Sequence, residues 1–100
     1  NDLKNKQINV ITLGDGNKII DQYPSLNTKL YPFDTVVLLT NNYNNKMIDF
    51  SNMSYKDTLN ILKLMNVDYV LEGNGYVYYQ SINPGEIIND KIVVKLKEKY

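Results

Sequence analysis

Histidine, cysteine, arginine, tryptophan and alanine are all missing from these 100 residues. Without cysteine there is no disulfide frame and no thiolate chemistry. Without histidine as well, the commonest general base and the main zinc and copper ligands are gone, so no metal site, no cofactor and no catalytic residue is expected. Without arginine, all 11 basic residues are lysines, balanced by 11 acids to a formal charge of zero. That balance argues against a nucleic-acid partner, which needs a basic footprint and favours arginine for bidentate contacts. Apolar runs never approach the 18 or more residues of a membrane span, and no basic-then-apolar segment opens the chain. Direct membrane insertion is therefore not expected of this stretch, and any anchor or export signal lies outside it.

Against these absences, 43% hydrophobic residues are enough to build a core. The chain is self-similar. A shift of 58 lays Gln22 on Gln80, Leu30 on Ile88, Val36 on Val94 and Leu38 on Leu96. Upstream, a shift of 59 pairs Gly14 and Gly16 with Gly73 and Gly75, and Ile8 with Val67. The reading is a tandem repeat: a first copy over 1–41 lacking its beginning, a linker at 42–45, and a complete second copy over 46–100. Residues 1–7 would then correspond to the end of a helix.

In the second copy, Lys46 to Phe50 reads as a short extended segment. Ser54 is a helix N-cap with Asp57 three residues on, a variant of the capping box. Tyr55, Thr58, Leu59, Leu62 and Met65 share one helical face by their spacing of three and four, and Asn66 suits a left-handed C-terminal position. Strands follow at Val67–Leu71, Tyr76–Ser81 and Ile92–Leu96, with Gly73-Asn74-Gly75 as a hairpin turn and Asn83-Pro84-Gly85 as a loop. The first copy repeats this plan with strands at Ile8–Leu13, near Ile19–Gln22 and at Thr35–Thr40. The expected fold class is α+β, each repeat a helix on a three-stranded antiparallel sheet.

The stretch Met47 to Ser54, the helix to Asn66, the run Gly73-Asn74-Gly75-Tyr76-Val77-Tyr78-Tyr79-Gln80, and Pro84-Gly85 with Val94 and Leu96 together resemble a PASTA domain. The family often has Pro where this chain has Ile48, Gly at Asn52 and Asn66, and Ala at Thr58. The compact Gly-Asn-Gly turn followed by Val77 and Gln80 is most similar to the C-terminal repeats of class B penicillin-binding proteins, including those used in sporulation. This resemblance implies a non-catalytic, extracytoplasmic module of a membrane-anchored bacterial cell-wall transpeptidase. Its partners would be the parent's catalytic domain and peptidoglycan fragments. The alternative parent is a serine/threonine kinase whose repeats sense muropeptides. Ser-x-Asn occurs by itself at Ser25-Leu26-Asn27 and Ser81-Ile82-Asn83, but the Ser-x-x-Lys and Lys-Thr-Gly elements that would have to accompany it are missing, so the chemistry would belong to the parent.

Strict alternation sends Tyr76, Tyr78 and Gln80 to one strand face and Val77 and Tyr79 to the other. The first set would form an open platform able to stack on a cell-wall glycan or stem peptide. The competing reading packs these tyrosines against the other repeat or the parent's catalytic domain. Gly14, Gly16, Gly73 and Gly75 read as structural turns, since each pair leads into a strand and phosphate loops lead into a helix. Asp15, Asp21, Asp34 and Glu86 lack the alternating spacing of a calcium loop.

Overall fold

The computed structural model describes residues 8–25 and 27–98. The chain divides between Tyr43 and Asn44 into two compact units. The helix end expected at residues 1–7 lies outside the described residues. In the first unit β1 (Asn9–Leu13), β2 (Ile19–Tyr23) and β3 (Thr35–Thr40) form a sheet in the order β1-β3-β2. In the second, β4 (Tyr69–Glu72), β5 (Tyr76–Gln80) and β6 (Ile92–Lys97) form one in the order β4-β6-β5.

Each sheet is mixed, which corrects the antiparallel sheet expected from the sequence. β3 runs parallel to β1 and antiparallel to β2, and β6 stands in the same relation to β4 and β5. The last strand of each unit is inserted between the first two. These central strands carry the most continuous apolar runs, Val36-Val37-Leu38-Leu39 and Ile92-Val93-Val94, as a strand with neighbours on both sides should.

The glycine pairs consequently join strands that do not touch, so neither forms the hairpin expected. Strands two places apart in a sheet lie about 10 Å from one another, and three residues reach about 10 Å at full extension. The path from β4 to β5 must therefore run tight across the end of β6. A Cβ on Gly73 would overlap the Leu96 carbonyl and one on Gly75 the Lys97 carbonyl, and both glycines have positive φ, 89° and 100°. In the first unit Gly14 (φ 89°) is pressed against Thr40 and the backbone of Asn42 and Tyr43. Gly16 is pressed against Asn41, and its N–H donates to Thr40 Oγ1 at 3.1 Å. Thr40 Oγ1 in turn donates to the Leu13 carbonyl at 2.9 Å, which ties the arch to β3.

The ladders also correct the repeat register. Gln22 faces Leu38 and Gln80 faces Val94, so Leu38 corresponds to Val94, 56 positions on, and not to Leu96. The same offset lays Val36 on Ile92, whose partners across the parallel ladder, Val10 and Tyr69, keep the 59-residue offset seen upstream. The loop into β3 is thus two residues longer than its counterpart.

The helix α1 (Tyr55–Met65) begins as its sequence predicts: Ser54 is the N-cap, and its side chain accepts from Asp57 N at 3.3 Å. It ends on Asn66 in the left-handed region (φ 59°, ψ 49°), whose N–H donates to the Lys63 carbonyl. Thr58, Ile61, Leu62 and Met65 are buried, joined in the core of the second unit by Met47, Phe50, Val77, Ile92, Val94 and Leu96. The short extended segment read at Lys46–Phe50 makes a single bridge, Lys46 to Ile87, with Met47 exchanging hydrogen bonds with Gly85 and Glu86 (2.8 and 2.7 Å). The first unit buries Leu13, Val36 and Val37.

Candidate binding surface

β5 positions the aromatic residues, and a β-bulge decides where they point. Tyr76 and Val77 face Lys97 and Leu96, and Tyr79 and Gln80 face Lys95 and Val94, which leaves Tyr78 without an opposite residue. One extra residue resets the alternation. Val77 and Gln80 both turn inward, while Tyr78 and Tyr79 both remain exposed, at 56% and 46%. Tyr76 is exposed as well. β2 carries the same irregularity between Ile19 and Asp21.

Gln80 is consequently separated from the two tyrosines with which simple alternation groups it. Its Oε1 accepts from Phe50 N at 2.9 Å, and its Nε2 donates to the carbonyls of Ile48 (2.9 Å) and Ile82 (2.8 Å). Both amide donors are consumed, and the side chain clamps the segment before α1 onto β5. The tyrosine rings are also engaged: Lys97 Nζ lies 5.0 Å from the Tyr78 ring centre and Lys95 Nζ 5.2 Å from that of Tyr79. These are cation–π distances, and each covers one ring face.

Beside this strand a cleft of about 410 Å³ is lined by Asp49, Ser51, Tyr78, Tyr79, Asn83 and Pro84. Hydrogen bonds from the Ser51 side chain and backbone hold the Asp49 carboxyl below its ordinary range, the backbone one at 2.9 Å. A second cleft of about 600 Å³ is lined by Ser81, Glu86, Ile87, Asp90 and Lys91, among others. Among the described residues no three acidic side chains converge as metal ligands would, and no helix is long and apolar enough to cross a membrane. The surface can exclude water over aromatic and lysine side chains and offer polar edges.

Residues 45–98 match the PASTA domain family. The chain belongs to the PASTA-domain family. PASTA domains are non-catalytic modules found in penicillin-binding proteins and in serine/threonine kinases, in extracellular parts of membrane-anchored proteins. Among solved structures, penicillin-binding protein 2X from Streptococcus thermophilus is similar at 23% identity and a TM-score of 0.79, over 97% of this chain and 15% of that one. The three-PASTA-domain segment of a serine/threonine kinase from Staphylococcus aureus gives 18% identity and a TM-score of 0.35, over 94% of this chain and 58% of that one. No curated protein matches the chain. Two residues that depart from the usual PASTA pattern keep its backbone: Asn52 and Asn66 stand where glycine is common, and both adopt positive φ, 65° and 59°. The clamp made by Gln80 and the bulge at Tyr78 had no signal in the spacing of apolar residues.

Proposed function

We propose that this chain is a pair of PASTA repeats from the extracytoplasmic part of a class B penicillin-binding protein, a peptidoglycan transpeptidase, where it stabilises and positions the catalytic domain through protein contacts. The observation that carries the reading is the likeness in fold to penicillin-binding protein 2X over 97% of the chain, which includes the first unit as well as residues 45–98. The first unit supports it independently, since its ladder pairings follow the second unit's residue by residue, bulge included.

Contact with peptidoglycan is the lesser part of this reading. Gln80 has no donor left for a sugar hydroxyl, and lysines cover one face of Tyr78 and of Tyr79. Tyr76 and Tyr78 remain the residues through which a cell-wall fragment would be felt. Two measurements test the proposal. Deleting the segment from the parent should lower the melting midpoint of the transpeptidase domain while leaving its acylation by a β-lactam intact; an unchanged midpoint would overturn the scaffold role. A muropeptide with a full stem peptide, titrated to millimolar concentration, should leave the backbone resonances of Tyr76 and Tyr78 unmoved. Saturable shifts there would favour a sensing role over the scaffold.

A further inference from the structure

The arch between β4 and β5 carries a reactive dipeptide that the fold itself imposes. Glycine is required at 75, because a Cβ there would overlap the Lys97 carbonyl, and Asn74 precedes it as the exposed middle residue of the arch. Asn74-Gly75 is the single Asn-Gly of the chain, and the single Asp-Gly, Asp15-Gly16, holds the equivalent place in the first unit. Both pairs are open to ring closure, since a glycine N–H has no side chain beside it to block the approach of the preceding side-chain carbonyl carbon. The two sites differ in how that side chain is held. The Asp15 carboxylate accepts from Asn42 Nδ2. An ionised carboxylate is also a poor target for a nucleophile. The Asn74 side chain is an amide, a better target, and among the described residues it makes no hydrogen bond.

We propose that Asn74 is a site of spontaneous deamidation and that its isoaspartyl product releases the arch from the start of α1. Gly75 N attacks Asn74 Cγ; the new N–Cγ bond closes a succinimide ring as the Cγ–NH2 bond breaks, and the amide nitrogen leaves as ammonia with the proton given up by Gly75. Water, the only co-reactant, then opens the ring. Breaking the new N–Cγ bond leaves aspartate on the original main chain. Breaking the old peptide bond leaves isoaspartate, whose main chain runs through Cβ and Cγ and is longer by one C–C bond, about 1.5 Å. That length enters a link that runs tight across the end of β6, with Gly73 and Gly75 against the Leu96 and Lys97 carbonyls. The Gly75 carbonyl accepts from Tyr55 N at 2.9 Å, which satisfies one of the N–H groups that the first turn of α1 leaves without a helical partner. The bridge between Ser54 and Tyr76 lies beside it. Displacing Gly75 breaks this tie between arch and helix. The reaction needs no enzyme, so the converted fraction grows with the age of the molecule, whichever protein carries the module.

Incubation of the intact protein in mildly alkaline buffer, with peptide mapping by mass and labelling by an isoaspartyl methyltransferase at intervals, tests the site. The expected result is exchange of –NH2 for –OH at Asn74 at least tenfold faster than at any other asparagine and than isomerisation at Asp15, with isoaspartate among the products. Hydrogen exchange at the Tyr55 amide should quicken at least tenfold in the separated isoaspartyl form. Asn74→Asp, which adds the charge without the longer chain, should leave that exchange within about twofold of the unmodified protein. Asn74→Gln should stay unmodified at this position and keep the Tyr55 amide protected over the same period. Conversion of Asn74 no faster than that of the other asparagines would overturn the site. A Tyr55 amide as protected in the isoaspartyl form as in fresh protein, or as exposed in Asn74→Asp as in the isoaspartyl form, would overturn its effect on the helix.

Discussion

Thr58 offers the sharpest check on the second unit. It lies on the buried face of α1, fully excluded from solvent, and its Oγ1 has no hydrogen-bond partner. Its N–H is spent on the Ser54 carbonyl in the first turn of the helix. A buried hydroxyl without a partner costs about 1–3 kcal/mol relative to water, and a methyl group of the same shape carries no such penalty. Valine shares the branched shape of threonine and has nearly the same helix propensity, so Thr58→Val isolates the polar atom. The expected gain is about 1–2 kcal/mol, and in a domain this small each kcal/mol moves the melting midpoint by about 4–8 °C. Urea unfolding with tyrosine fluorescence gives the global value, and hydrogen exchange at Ile61 and Leu62 reads the helix itself. Thr58→Ser, which keeps the hydroxyl and loses the methyl, should move stability down by about 1 kcal/mol. If valine destabilises by as much as serine does, the hydroxyl is bonded in solution and the reasoning fails.

Three further expectations concern the clamp, the arch and the Tyr43 phenol. Gln80→Ala strands the Phe50 N–H and releases two carbonyls, and should cost about 2–3 kcal/mol, whereas Tyr78→Ala, which removes an exposed ring on the same strand, should stay within about 0.5 kcal/mol; equal losses in denaturant unfolding would show that the clamp carries no load. Gly73→Ala forces a Cβ onto the Leu96 carbonyl at positive φ and should destabilise the second unit by about 2 kcal/mol or more, with exchange at β6 amides reporting the opened arch; a neutral effect would refute the tight crossing. Burial raises the Tyr43 phenol from 10.0 to about 12 because the folded environment disfavours the phenolate. The stability it lends is complete below pH 10, where both states are protonated, and is lost as pH rises from 10 through 12. Ring-carbon NMR shifts should place its midpoint near 12, and Tyr43→Phe should flatten that part of the stability profile.

Local chemistry was legible in the chain wherever a single segment decides its own conformation. Ser54 and Asn66 mark both ends of α1 because capping depends on residues within one turn. The strand positions at 35–40, 76–80 and 92–97 follow from β-rich runs between glycine, proline and asparagine punctuation. Asn52 and Asn66, where the resemblance leads one to expect glycine, take the positive φ that such positions need. Pairing was the part that did not show. Whether β4 neighbours β5 or β6 depends on contacts more than 20 residues apart, and a Gly-x-Gly link serves a hairpin or an arch equally well until the third strand is placed. One signal was available: Ile92-Val93-Val94 is apolar on both faces, which fits a central strand better than an edge.

The candidate surface failed to show for a related reason. Alternation assigns a face only while a strand keeps its register, and the bulge at Tyr78 breaks it within five residues. On one side of the break Val77 belongs to the core; on the other, Gln80 takes the inward position that an unbroken strand would give to Tyr79. A half-buried polar side chain then needs partners, and the Phe50, Ile48 and Ile82 backbone supplies them. The bulge therefore does two things through one extra residue: it hands the glutamine to the segment before the helix, and it turns two adjacent tyrosines outward beside Lys95 and Lys97. The first unit keeps the bulge at Ile20 and keeps Gln22, whose Nε2 donates to the Pro24 carbonyl at 3.1 Å, but it exposes isoleucine where the second unit exposes tyrosine. What the two units share is thus the device that folds the strand, and what distinguishes them is the chemistry presented outward: tyrosines on β5 beside lysines in one, and Ile19 and Ile20 on β2 in the other.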